Sequence, residues 1–261
     1  MISDLIASSR KIVLKFGSST LTDERGRLNA SFMEQTARDC AGFIKAGKQI
    51  ALVSSGAQAA GLAAMERWER KRDVHYRQAL CAVGQVELMG GWRNAFKAEG
   101  LNVAQILLTA GDFATPVSAL NLRNTLFTLA DEGVVPVINE NDSVSVDEIK
   151  IGDNDNLAAL TAVLWSADLL ILLSDIDGLF KSNPKEDPNA EFIQTVNETA
   201  AIRGKITING ISALGSGGIA TKIEAAEKAL SDGIPTVITR GRADALSSLA
   251  SGEQRGTEFL A

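Results

Sequence analysis

The sequence has little with which to build a metal centre or a nucleophilic triad. Among its 261 residues there is one histidine, His75, and there are two cysteines, Cys40 and Cys81. His75 lies in the polar stretch RKRDVHYRQ beside Arg77. With no second histidine to share a metal or a proton, it reads as an exposed loop or helix-start residue. Both cysteines fall on the apolar side of helical patterns and lack metal-ligand spacing, so they read as core thiols of a reducing cytosol. The start, MISDLIASSRK, offers neither a long apolar stretch nor a basic segment, which argues against a secretory signal. The sequons at Asn29, Asn141 and Asn197 then carry no meaning. No run approaches the roughly 18 apolar residues of a membrane span. A basic excess is missing too. With a net charge of −6 the chain has no broad surface for nucleic acid, and any phosphate site would have to be local. These absences lead us to expect a cytoplasmic protein that binds neither membrane nor nucleic acid.

What is present suits a large buried core. Hydrophobic residues make up 45% and charged residues 22%, a balance that excludes disorder. Short apolar, β-branched runs recur: KIVLKF, QIALV, VAQILL, VVPVI, LLILL and IPTVI. Continuous rather than alternating apolar runs fit strands covered on both faces, as in a parallel sheet. Helical spacing fills the gaps between them. In SFMEQTARDCAGFIKAG, Met33, Ala37, Cys40 and Ile44 line one face, Ser31 with Glu34 predicts a capping box, and Gly47 a stop. RQALCAVGQVELMGGWRNAFKAEG, NLRNTLFTLADEG and ATKIEAAEKALSDG are three more helices, each ended by glycine. Alternation of strand and helix predicts an α/β fold, a three-layer αβα sandwich around a mainly parallel sheet. With no repeat, linker or composition shift, residues 1–261 are expected to form a single domain.

Ligands of open α/β folds gather at the carboxyl ends of the strands. There the chain carries Lys15-Phe16-Gly17-Ser18-Ser19, Ser54-Ser55-Gly56-Ala57 and Ser174-Asp175-Ile176-Asp177-Gly178. A fourth small-residue stretch, Gly215 to Lys222, opens a helix. Small residues let backbone N–H groups approach a phosphate, and a helix start adds a favourable dipole. The P-loop pattern and the GxGxxG fingerprint are both absent. Each cluster taken alone reads as an ordinary βα turn. Four together, two of them with a lysine, are harder to dismiss, and Lys15 within an apolar strand asks for an anionic partner. One further stretch stands out: NENDSVSVDEIKIGDNDNLAAL, residues 139–160, holds six acids, four asparagines and one lysine behind an apolar strand.

Taken in order, these residues resemble the amino acid kinase family. KFGSSTLT is similar to its first phosphate loop and VSSGAQAAG to its second glycine loop. AVGQ, VAQILLT, NLRNTL, LLSDIDGLF with its downstream NPKEDP, and GSGGIATK continue the series over nearly the whole chain. GVVPVINEND followed by GDND resembles the branch that phosphorylates the side-chain carboxylate of free L-glutamate in proline synthesis. Ile219 stands where many such members have methionine. Many also continue into a PUA domain, which is not expected here.

The resemblance implies transfer of the ATP γ-phosphoryl group to glutamate, with Mg²⁺ riding on the phosphates and no protein metal ligand assigned. It implies catalytic roles for Lys15, Lys222 and Asp155, with Asp155 orienting the two lysines. It assigns the nucleotide to Lys15, Gly17, Ser18, Ser174, Asp175, Ser216, Gly217, Gly218, Ile219, Ala220, Thr221 and Lys222. The amino-acid end of glutamate falls to Ser55, Gly56, Asp142 and Asn154. A homo-oligomer, dimer or tetramer, is expected. The small-residue helix AVGQVELMGGW fits either the core or a dimer contact. Two rivals remain open: a kinase of this fold with another acceptor (acetylglutamate, aspartate or a nucleoside monophosphate), and a non-catalytic amino-acid sensor. A monophosphate acceptor asks for arginines, and residues 139–160 have none. A sensor has no need of two lysines and Asp155.

Overall fold

A computed structural model describes residues 1–65, 73–144, 154–182, 187, 189–197 and 218–260. The elements run α1 (Ile2–Ser8), β1 (Lys11–Phe16), α2 (Ser18–Leu21), α3 (Ala30–Lys45), β2 (Gln49–Ser54), α4 (Ala57–Met65) and α5 (Val74–Ala98). Then come β3 (Val103–Leu108), α6 (Ala110–Ala114), α7 (Pro116–Asp131), β4 (Val135–Glu140), α8 (Asn154–Trp165) and β5 (Leu169–Ser174). Last are β6 (Leu179–Phe180), β7 (Phe192–Ile193), β8 (Thr195–Val196), α9 (Ile219–Ser231), β9 (Thr236–Arg240), α10 (Ala245–Ser251) and β10 (Gly256–Phe259).

The main sheet has eight strands in the order β3-β4-β2-β1-β5-β9-β10-β8, and β6 pairs with β7 in a separate ribbon. The six apolar runs of the sequence are six adjacent parallel strands, from β3 at one edge of the sheet to β9. Only β10 runs against its neighbour β9, and it carries β8 on its outer edge. The pleat sends alternate residues to two separate cores. Ile12, Leu14 and Phe16 of β1 pack on one face with α3, α5 and α10. Val13 packs on the other face with α7, α8 and α9. Helices cover both faces, so the chain is the three-layer αβα sandwich predicted above, with a mainly parallel sheet.

Two local features bear on the site. The entry to α3 differs from the expected Ser31–Glu34 capping box. Asn29 is the cap: its Oδ1 accepts from the Phe32 N–H at 3.1 Å and from Ser31 Oγ at 2.9 Å. Its own N–H donates to the Leu21 carbonyl at 2.9 Å, and the helix starts two residues earlier than the capping-box pattern implied. The second feature is the crossing of α4 and α5. A Cβ on Gly84 would lie 1.8 Å from the Ala57 carbonyl oxygen, and one on Gly61 would lie 2.0 Å from that of Leu80. Only glycine allows two helix backbones to come so close. AVGQVELMGGW accordingly packs inward through Gly84, Leu88 and Trp92, while Val83 and Val86 stay exposed. His75 sits exposed in the first turn of α5, as its polar neighbours predicted. Cys40 and Cys81 are both buried free thiols.

Candidate active site

The six parallel strands end on one edge of the sheet, and their carboxyl ends bring the predicted residues together. Lys15 follows the two-residue period of β1 and shares the face of Val13, towards α8. Asp155 lies in the first turn of α8, where the helix dipole favours an acid. Lys222 lies one turn into α9, on the same side of the sheet. Three elements far apart in sequence therefore converge. Lys15 Nζ lies 2.6 Å from Asp155 Oδ1, and Lys222 Nζ lies 2.9 Å from Oδ2. The carboxylate is 0% exposed and each lysine 5%. Thr221 Oγ1 adds a hydrogen bond to Asp155 Oδ2 at 3.1 Å. Burial alone would push the Asp155 carboxyl up. The charges of both lysines, and the hydrogen bonds they donate, outweigh burial and hold it below the ordinary carboxylate value.

On one side of this trio lies a group of neutral side chains. Asn154 Nδ2 donates to Ser55 Oγ at 2.7 Å and to Asn139 Oδ1 at 2.9 Å. Asn139 Nδ2 in turn donates to Gln85 Oε1 at 2.9 Å. The Ser55 N–H donates to the Phe16 carbonyl at 3.1 Å, which ties the second glycine loop to the first strand. Gly56 has φ +108°, a conformation an L side chain would strain, so glycine is required there. Asp142 lies in the turn after β4 and contacts Cys81. The Cys81 thiol is pushed up to about 12, first by burial and then by the charge and hydrogen bonding of Asp142; it is a donor and not a nucleophile.

On the other side lie the small-residue loops. Gly17 precedes α2 and Gly218 precedes α9, both in extended backbone, and neither start carries a side-chain cap. Ile219 is half-buried against the core, whereas Ser18, Ala220 and Asp175 are exposed. Ser174 ends β5; its Oγ donates to Asp175 Oδ1 at 3.1 Å, and its carbonyl accepts from the Gly241 N–H at 2.6 Å. A Cβ on Gly241 would lie 2.7 Å from Thr20, so the turn after β9 touches the first loop closely. Asp177 of the same SDIDG stretch faces away from this role. Hydrogen bonds from Arg240, and then from Arg255, hold its carboxyl low. The predicted Ser216 and Gly217 lie outside the described residues, as do residues 145–153 of the acidic stretch.

The model of the amino acid kinase family matches residues 10–240. The chain belongs to the amino acid kinase family. A protein named glutamate 5-kinase from Alkaliphilus metalliredigens is 48% identical over the whole of this chain and 99% of its own length. One of the same name from Treponema pallidum is 40% identical, with 100% and 99% covered. Another, from Syntrophotalea carbinolica, is 44% identical, and this chain covers 70% of it. Among solved structures, carbamate kinase from Giardia lamblia bound to AMP-PNP superposes with a TM-score of 0.68 at 14% identity, covering 97% of this chain and 99% of that one. UMP kinase from Ureaplasma parvum superposes with a TM-score of 0.65 at 13% identity, with 97% and 99% covered. At such identities these two establish the amino acid kinase fold and nothing of the acceptor.

Sequence reasoning overlooked Asn139 and Gln85 as site residues. A signal was available. Gln85 lies four residues after Cys81 and three before Leu88, on the buried stripe of α5, and Asn139 is the penultimate residue of an apolar strand. A buried amide must find partners, and two of them at one sheet edge point to each other.

Proposed function

We propose that this chain transfers the γ-phosphoryl group of ATP to the side-chain carboxylate of L-glutamate, giving L-glutamyl 5-phosphate in the first step of proline biosynthesis. The observation that carries the reading is the pairing of Lys15 and Lys222 on one buried carboxylate, beside the hydrogen bond from the Asn154 amide to the Ser55 hydroxyl. Family membership and 40–48% identity to proteins named glutamate 5-kinase support it.

The acceptor carboxylate is ionised at neutral pH and needs no general base. Its obstacle is repulsion by the triphosphate. Two ammonium groups held by Asp155 offset that charge and stabilise the oxygens of the transferring group, and positioning does the rest. Lys15 and Lys222 act at the phosphates, with Gly17, Ser18 and the 216–222 loop donating to them, and Ser174 and Asp175 border the nucleotide. Ser55, Gly56, Asp142 and Asn154 hold the amino-acid end. Mg²⁺ would neutralise the triphosphate; since both Asp155 oxygens are engaged by lysines, an ion carried by the nucleotide suits this donor set. The reading takes the chain as one amino acid kinase domain working in the cytoplasm as a homo-oligomer, whose contact would cover exposed Val86 and Leu120.

ADP release measured with a panel of acceptors tests the proposal. Mg²⁺-dependent turnover of L-glutamate is expected, with little use of aspartate or N-acetylglutamate. Equal or faster turnover of N-acetylglutamate, which lacks the free ammonium, would overturn the choice of acceptor.

A further inference from the structure

The amide chain beside the trio has a direction. Its anchor is a backbone group that can only donate: the Glu140 N–H gives a hydrogen bond of 2.9 Å to Asn139 Oδ1. That bond fixes which end of the Asn139 carboxamide is oxygen. The same oxygen accepts from Asn154 Nδ2 at 2.9 Å, so Asn154 must present its NH2 to Asn139, and its second N–H is used on Ser55 Oγ. Both donors of Asn154 are then spent, and what remains is its oxygen. Asn154 Oδ1 is buried and has no hydrogen-bond partner among the described residues. At the other end, Asn139 Nδ2 donates to Gln85 Oε1 at 2.9 Å, and Gln85 Nε2 is likewise buried without a partner. Gln85 (7% exposed) and Asn139 (2%) are shut away from solvent. The close approach of Gly84 to the Ala57 carbonyl sets the depth at which α5 presents Gln85.

We propose that Gln85, acting through Asn139, is a positioning residue that holds the Asn154 carboxamide with its oxygen towards the substrate, so that the pocket reads a protonated amine. An ammonium has only donors, and a buried acceptor left without a partner discriminates strongly for one. Were the amide reversed, its NH2 would face the ammonium, donor against donor. The proposal rests on the functional reading above and adds to it how the pocket presents an acceptor to the charged amino group of the substrate.

The test is steady-state kinetics on the full chain with glutamate and ATP varied in turn. Gln85→Met keeps the length of the side chain but removes the acceptor for Asn139. It is expected to raise KM for glutamate about tenfold, with KM for ATP unmoved and kcat changed far less. Gln85→Glu retains an acceptor oxygen and should recover most of that loss. In an Asn154→Ala background, Gln85→Met should have no further effect, because its route to the substrate is gone. A glutamate KM unchanged in Gln85→Met, no recovery in Gln85→Glu, or full additivity with Asn154→Ala would each overturn the proposal. Should Gln85→Met fail to fold, Gln85→Asn, one methylene too short to reach Asn139, carries the same expectation. A wild-type chain that leaves glutamate untouched would overturn the functional reading and this inference together. An active wild type whose Gln85→Met variant keeps its KM would overturn this inference alone.

Discussion

The two halves of the site solve different problems with different chemistry. At the centre are three buried full charges, with Lys15 and Lys222 at 2.6 and 2.9 Å from the carboxylate of Asp155. Beside it, Ser55, Asn139, Asn154 and Gln85 carry no charge and are linked by amide hydrogen bonds; under the proposed function they border the amino-acid end of glutamate. Charge is concentrated where phosphoryl transfer would redistribute it, because a fixed ammonium gains most in a site shielded from water. Under the proposed function, dipoles and the single charge of Asp142 orient a ligand that arrives already charged. The comparison implies that changes at the centre act on stability and kcat, and changes at the amino-acid end act on KM.

The most severe way to break that contrast is Asp155→Asn. It leaves two buried lysines without their carboxylate, which costs about 3–5 kcal/mol of folding stability, measurable by urea unfolding. The pH dependence follows from the lowered Asp155 pKa. A depressed carboxyl contributes stability that is full above its unfolded pKa and is lost only as pH falls through its folded value. The gap between wild type and Asp155→Asn should therefore hold from neutrality down to roughly pH 4 and narrow below it. A gap that already closes near neutral pH would contradict the trio.

Lys222→Met comes next. It should lower kcat about a hundredfold, ~3 kcal/mol, with a much smaller change in KM for glutamate. More than half the wild-type kcat remaining would remove Lys222 from the chemistry. At the other end, Asp142→Asn keeps the shape and removes the charge. If Asp142 faces the substrate ammonium, KM for glutamate should rise about ten- to hundredfold, since a charge-assisted hydrogen bond contributes roughly 1.5–3 kcal/mol. KM for ATP should stay constant; parallel rises in both constants would erase the division between the halves. The smallest effect concerns the scaffold. Gly84→Ala sets a methyl against the Ala57 backbone and should cost about 1–3 kcal/mol of stability, read as a lower Tm. A variant as stable as wild type would mean that α4 and α5 separate freely, and that Gln85 is not held in depth by this crossing.

Much of this was legible in the chain before any coordinates. The six parallel strands are continuous apolar runs bounded by small residues, a pattern set, for all but the edge strand β3, by burial on two faces. Lys15 announced itself because a lysine in such a run is costly without a partner. The last two strands of the sheet, β10 and β8, did not stand out: they are four and two residues long and lack a long apolar run. The start of α3 was misplaced because Ser31 and Glu34 fit the capping pattern, and the hydrogen bond from the Phe32 N–H to Asn29 Oδ1 shows which residue sits at the helix mouth.

By itself, then, the sequence determined the layers, the parallel sheet and the loops at its carboxyl edge, because each depends on local pattern, and it marked Lys15 by the cost of one misplaced charge; Lys222 and Asp155 were named by the family resemblance. Tertiary structure decided what depends on distance between remote segments. It joined Lys15, Asp155 and Lys222 across more than 200 positions of chain. It let α4 and α5 touch at Gly61 and Gly84, and it ran an amide chain from Gln85 to Asn154. The direction of that chain comes from one backbone N–H at Glu140, and a backbone group is the same at every position of a sequence. That N–H meets the side chain of its own neighbour Asn139, a local contact; which end of Asn154 is then left open is fixed only when the strand and the two helices have packed.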